Sequence, residues 1–194
     1  MGYLLHVLAV GGFGHDFARQ LGLRTEPLGI TTLSADTTRI DPLSIPDANL
    51  NILALWRYSP GLLRQLDEYA FLNKKPWLPV VYNHPFIEVG PVIVPGAGPC
   101  YSCYSELVLN NSPTAAYMRQ VYAYYDGSPD TGPKGFLHAF AGWAAAIVAR
   151  LPQCIAGNEL PGGWVWKMHV VSRKLYQYPI RSDIGCDRCL PRFS

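Results

Sequence analysis

Four of the five cysteines in this 194-residue chain fall into two Cys-x-x-Cys pairs, Cys100-Tyr-Ser-Cys103 and Cys186-Asp-Arg-Cys189. Such a turn lets two thiolates approach one ion at a tetrahedral angle, and two turns close a four-sulfur shell. A glycine precedes each pair, Gly98 and Gly185, where a tight turn lets amides face the sulfurs. The chemistry implied is a structural zinc site on Cys100, Cys103, Cys186 and Cys189. A catalytic zinc needs an open ligand position, which four cysteines do not leave. Redox dithiols and unrelated buried thiols are the alternatives. The pairs are separated by 82 residues, beyond the spacing of a compact zinc finger. The ion would therefore pin the C-terminal segment to the strand leading into Cys100. Cys154 stands apart with no neighbouring His or Asp, and reads as a small buried hydrophobe rather than a nucleophile.

A second chemical candidate is Gly12-Phe-Gly14-His-Asp-Phe17, placed between an apolar run and a helical pattern. That is the setting of a dinucleotide-type phosphate loop, where helix amides and dipole meet an anion. Phe17 replaces the third glycine, and Asp16 brings negative charge to the position phosphate would take. From these residues a purely structural turn and a nucleotide site both stay open. No catalytic residue is assigned.

The elements that must position these groups follow from periodicity. Leu4 to Val10 predicts a strand, a glycine turn follows, and His15 to Leu21 predicts a helix. Pro27 to Leu33 predicts a strand, Ser34 to Asn49 a loop, Leu50 to Trp56 a buried strand, Tyr58 to Asn73 an amphipathic helix and Pro76 to Tyr82 a further strand. This β-α-β-β-α-β order implies an α/β fold with a mostly parallel sheet. Pro85 to Pro95 reads as strand interrupted at Gly90-Pro91, and the turn Gly96 to Pro99 delivers the first cysteine pair. Helices are predicted over Thr114 to Tyr125 and Gly135 to Leu151, with a loop from Asp126 to Lys134 between them. A late strand or hairpin is predicted over Trp164 to Tyr178. One domain spans 1–194, with a Rossmann-like part over 1–99 and a zinc-stapled part over 100–194.

Apolar residues make up 49% and charged residues 15%, which excludes disorder and implies apolar surface covered by a partner or a second copy. The net charge is +2 with no basic run, so nucleic acid is not an expected partner. Met1 to Val10 lacks a positive flank and breaks at Gly11-Gly12. Phe136 to Leu151 is too short for a span and contains His138. A soluble, cytoplasmic protein is expected. The aromatics Tyr117, Tyr122, Tyr124, Tyr125, Phe136, Phe140 and Trp143 form either a partner-binding face or core. His84 reads as a hydrogen-bonded loop residue, whereas His6, His138 and His169 are expected to pack within strands or helices.

Taken together, the segment from Val10 to Leu21 and the string Gly90-Pro-Val-Ile-Val-Pro-Gly-Ala-Gly-Pro-Cys-Tyr-Ser-Cys103 resemble the ThiF/MoeB group of ubiquitin-activating-like adenylating enzymes. The string is closer to that group's divergent relatives, the partner proteins of YcaO-type cyclodehydratases in thiazole/oxazole-modified, microcin-like peptide biosynthesis. The resemblance covers residues 1 to about 108 and 164 to 194. It implies a shortened Rossmann-like, ubiquitin-activating-like fold with the two cysteine pairs on zinc.

The group's adenylating members hold ATP with an acid after the second strand, an Arg, a Lys and a strand-end Asp. Here only Asp36 is a candidate for the first, Arg39 is the sole basic residue of the following loop, and Trp56-Arg57-Tyr58 stands where the Asp would sit. ATP chemistry is therefore not expected. The azole-forming relatives do not adenylate; they bind a precursor peptide's leader and present its Cys, Ser or Thr residues to the YcaO enzyme, which spends ATP. Full-length versions carry an N-terminal winged-helix leader-binding domain. Because this chain starts at its first strand, leader binding is expected from another subunit or from strand addition to an exposed sheet edge. The implied partners are a YcaO-type cyclodehydratase, an azoline dehydrogenase and the precursor peptide. Two other functions compete: a minimal ThiF/MoeB-type adenylyltransferase and a dinucleotide-binding oxidoreductase.

Overall fold

A computed structural model describes residues 3–156, 163–181 and 186–189. Strand β1 (Leu5–Val10) is buried at every position, as is β3 (Leu50–Leu55). Apart from His6 and Asn51, which are buried as well, these runs are apolar without polar alternation, as in central strands covered on both faces. Helix α1 (Gly11–Gly22) and β2 (Leu28–Leu33) lie between them in sequence, and α2 (Pro60–Leu72) leads to β4 (Trp77–Asn83). These strands pair in the order β2-β1-β3-β4, all parallel. Strand β5 (Phe86–Val89) turns back antiparallel on β4, and β6 (Trp164–His169) and β7 (Leu175–Pro179) continue antiparallel to complete seven strands. The expected mostly parallel sheet is thus parallel in its first four strands and antiparallel beyond. Helices α3 (Tyr101–Asn110), α4 (Ala115–Gly127), α5 (His138–Val148) and α6 (Leu151–Ala156) fill the connection from β5 to β6.

Three expectations need correction. The predicted glycine turn is itself the first turn of α1, which begins at Gly11 rather than after it. Gly14 permits this close approach, because a Cβ there would lie 2.5 Å from the Ala54 carbonyl oxygen. Helix α3 was not expected at all. Its Cys, Tyr and Ser residues are indifferent helix formers, and burial of Tyr101, Cys103 and Tyr104 against the sheet supplies what propensity does not. The single predicted helix over Gly135 to Leu151 is shorter, with α6 following as a separate helix. Among the described residues no helix is long and apolar enough to cross a membrane.

Candidate metal centre and the closed glycine turn

Cys100 caps α3 and Cys103 lies in its first turn, so one helical turn presents both sulfurs on one side. The chain segment from Cys186 to Cys189 supplies the other two. All four Sγ atoms lie within 4.8 Å of one another. The Cys100–Cys103, Cys100–Cys186 and Cys103–Cys189 sulfur distances are 3.9, 3.6 and 3.3 Å. A tetrahedron with metal–sulfur bonds of about 2.3 Å has edges of about 3.8 Å, so this cluster could hold a metal ion. The Cys100 amide donates to Cys189 Sγ at 2.9 Å, the amide-to-sulfur contact expected around such a site. Burial alone would raise the Cys186 thiol, but donation from the Arg188 and Cys189 amides outweighs it and brings the thiol to about 7. Gly185 and the Cys154 side chain lie outside the described residues.

Second contacts hold this segment to the fold. Arg188, between the second pair of cysteines, donates to Asp67 Oδ2 of α2 at 2.5 Å and lies over the Phe71 ring at 4.4 Å. Asp67 is only 4% exposed and also accepts from Trp77 Nε1 at 3.2 Å. Burial pushes the Asp67 carboxyl up, against the opposing pull of Arg188. On the other side Gly163, at φ +77°, lets the base of the β6–β7 hairpin approach Pro99, where a Cβ would come within 2.8 Å. Its amide donates to the Val92 carbonyl at 3.0 Å. The cysteines therefore sit where α2, α3 and the hairpin converge.

The glycine turn has a different fate. Trp56 is buried directly on Gly11, where a Cβ would fall 2.2 Å from the indole Cδ1. Its Nε1 donates to the Ala35 carbonyl at 3.1 Å, and the Cζ3 and Cη2 end of its ring meets Gly132. Phe136 stands 3.3 Å from a Cβ position on Gly12 and packs edge-on against Phe13. Asp16 is held by Arg19 at 2.6 Å and by His138 Nδ1 at 2.8 Å. Burial opposes ionisation of Asp16, yet these partners prevail and keep its carboxyl below the usual range. Arg57 donates to the Tyr58, Tyr125 and Pro129 carbonyls, so its charge is spent on the backbone of neighbouring loops. Asp36 is exposed beside Ser34, which donates to it, and Arg39 is exposed on the same loop. Asp16, Trp56 and Arg57 are thus engaged with other groups of this chain, and Asp36 and Arg39 are exposed. Trp56 fills the space above the turn.

A third region was missed in the sequence. Glu88 of β5 accepts from Tyr104 at 2.8 Å and pairs with Lys167 at 2.9 Å. Tyr58 and Tyr101 hydroxyls meet at 2.9 Å, Tyr58 stacks on Tyr122 at 4.0 Å, and Asn83 donates to the Tyr122 hydroxyl. Burial pushes the Tyr122 phenol up to about 12 and also raises those of Tyr101 and Tyr104. Clefts of about 440 and 660 Å³ open on either side of Tyr122. The available signals were single charges within apolar patterns: Glu88 between Ile87 and Val89, and Asp67 on the stripe Leu63, Leu66, Ala70.

The aromatic set divides between the two readings. Phe136, Phe140 and Trp143 pack against the core, whereas Tyr117 and Tyr124 on α4 are 68% and 60% exposed. His6 is buried, with Nε2 3.0 Å from Thr31 Oγ1. His138, expected to be packed, is exposed at the start of α5, where it reaches Asp16.

The sequence matches no family model and no curated protein. Solved structures do resemble it. The heterocyclase TruD superposes with a TM-score of 0.67 at 19% identity, over 97% of this chain and 27% of that one. A heterocyclase in complex with substrate and cofactor gives 0.68 at 16%, over 97% and 25%. The Escherichia coli enzyme MccB gives 0.66 at 15%, over 99% and 66%. This chain spans about a quarter of the length of the heterocyclases. The expected likeness to the ThiF-type partner proteins of azole-forming enzymes therefore holds as a shared fold.

Proposed function

We propose that this chain is a non-adenylating scaffold in ribosomal-peptide azole biosynthesis, holding a precursor peptide beside a YcaO-type cyclodehydratase. The observation that carries this reading is Trp56 seated on Gly11 in a fold shared with TruD and MccB. Among the solved neighbours are a heterocyclase with its substrate and the microcin C7 biosynthetic enzyme MccB with N-formylated MccA. The fold is thus one in which peptide-modifying proteins are found, and the filled glycine turn weighs against ATP or nicotinamide as this chain's own cofactor. The mechanism is positioning. A peptide held beside another subunit's active site reacts at an effective concentration in the millimolar range, with no catalytic group required here.

The four cysteines hold zinc in this reading. Four thiolates suit zinc, whose d-shell imposes no geometry of its own, and a closed sulfur shell is structural. The ion fastens the hairpin and the Cys186–Cys189 segment to α2 and α3, so a single domain over 1–194 depends on it. Calorimetric titration of the zinc-loaded protein, with Mg-ATP and separately with peptides encoded beside its gene, tests the function. Peptide binding without ATP binding is expected. ATP binding with pyrophosphate exchange would establish an adenylating enzyme instead.

A further inference from the structure

The seven-stranded sheet ends in two edges, β2 and β7. Strand β2 is partly covered along its length, and acids stand near both its ends at Glu26 and Asp36. Strand β7 differs on both counts. Four of its five residues are exposed, including Leu175 at 63% and Tyr176 at 46%. Residues 163–181 contain Lys167, Arg173, Lys174 and Arg181 and no Asp or Glu. Lys167 is paired with Glu88, but no ion pair among the described residues engages Arg173, Lys174 or Arg181.

The backbone of this edge can be read group by group. The His169 amide donates to the Lys174 carbonyl, and the Ile180 amide donates to Gly163. In an antiparallel pair, residues with groups facing the partner alternate with residues whose groups face away. Lys174, Tyr176, Tyr178 and Ile180 therefore bond toward β6, while Leu175, Gln177 and Pro179 turn their main-chain groups outward. Leu175 and Gln177 each offer an amide and a carbonyl, and Pro179 offers a carbonyl only. Unpaired outward groups of this kind are a template for another strand. The cations stand at its two ends, Arg173 and Lys174 at the turn and Arg181 beyond Pro179, about 23 Å apart at the rise of an extended chain.

We propose that the β7 edge binds an extended acidic peptide segment as an eighth strand, its backbone paired with Leu175 and Gln177 and its carboxylates facing Arg173, Lys174 and Arg181. This deepens the scaffold reading and rests on it. Strand addition draws affinity from main-chain hydrogen bonds, while the flanking charge selects the segment and fixes its register. Lys174 and Pro179 also keep the strand short, which limits pairing with unselected chains.

The test uses fluorescein-labelled 12-residue peptides tiled across the short peptide encoded beside the gene, with the zinc-loaded full chain. Gln177→Pro removes only an outward amide, so the β6–β7 ladder is kept while the docking rung is lost. Acidic tiles bind the wild type, protect the Leu175 and Gln177 amides from hydrogen exchange, and bind Q177P about tenfold more weakly or worse. The double variant Lys174→Glu/Arg181→Glu, on exposed residues, weakens binding comparably and flattens its salt dependence. It serves if Q177P fails to fold. Tiles that bind both variants like the wild type would overturn the edge and leave the scaffold reading standing. Binding of no tile by the wild type would overturn both. A dimer that forms without peptide and is lost in Q177P would assign the edge to a second copy instead.

Discussion

At the β1–β3 end of the sheet, Trp56, Phe136 and the Gly132 loop close over the glycine turn. At the β4–β5 end, Asn83, Lys167 and Tyr122 border a cleft of about 660 Å³, and α4 beside it has no buried residue. Both regions lie where an α/β sheet places ligands, beyond the carboxyl ends of parallel strands. One indole closes the first, where the buried Trp56 ring is part of the core. The second keeps a polar floor and loosely packed walls, the pattern of a region with low local stability. The difference shows that one sheet can carry a packed region and an open cleft side by side, according to which side chains stand at its strand ends.

The contrast can be broken first at the cysteines, which in the proposed reading fasten the antiparallel half. If the four sulfurs hold the proposed ion, Cys189→Ser is expected to abolish metal binding and lower the melting temperature by about 10 °C or more. Hydrogen exchange should show β6 and β7 losing protection while β1 and β3 keep it. Equal metal content and melting in the variant would show that the sulfurs carry no ion.

Trp56→Ala comes next. It should cost about 3–5 kcal/mol in urea denaturation, since it empties a buried site bordered by Gly11 and Gly132. A cost below about 1 kcal/mol would mean that the closed end is not packed core.

Asp16→Asn sharpens the comparison through pH. The Asp16 carboxylate titrates below its unfolded value, so its contribution is fully present above the ordinary carboxylate pKa of about 4. It is lost as pH falls through the depressed folded value. The stability gap between wild type and D16N should therefore narrow below about pH 4, and a gap that widens there would contradict the Arg19 and His138 pairing.

The smallest effect is expected at the open end. Tyr124→Ser on α4 should change stability by no more than about 0.5 kcal/mol, because the ring is largely exposed. A loss several times larger would place α4 among the packed elements.

Reading the sequence worked where a local pattern carried its own physics. Mostly apolar runs marked β1, β3 and β4, and the spacing of Leu62, Leu63, Leu66 and Ala70 marked α2. The cysteine pairs were legible because Cys-x-x-Cys geometry is set within four residues. Helix α3 was not, since its stability comes from burial against strands distant in sequence. His138 was misplaced for a related reason: its surroundings depend on Asp16, 122 positions away.

The sequence by itself determined the order of the first four strands with the helices α1 and α2 between them, the four sulfur ligand candidates and the presence of a bulky aromatic, Trp56, at the end of β3. Only the tertiary structure decided that Trp56 lies on Gly11, that Arg188 reaches Asp67, and that β7 ends the sheet flanked by cations with no ion pair among the described residues. The reason is range. Propensity, periodicity and turn chemistry act over a few residues along the chain, whereas a filled pocket, a buried ion pair or an open edge is created by segments that meet only when the sheet assembles.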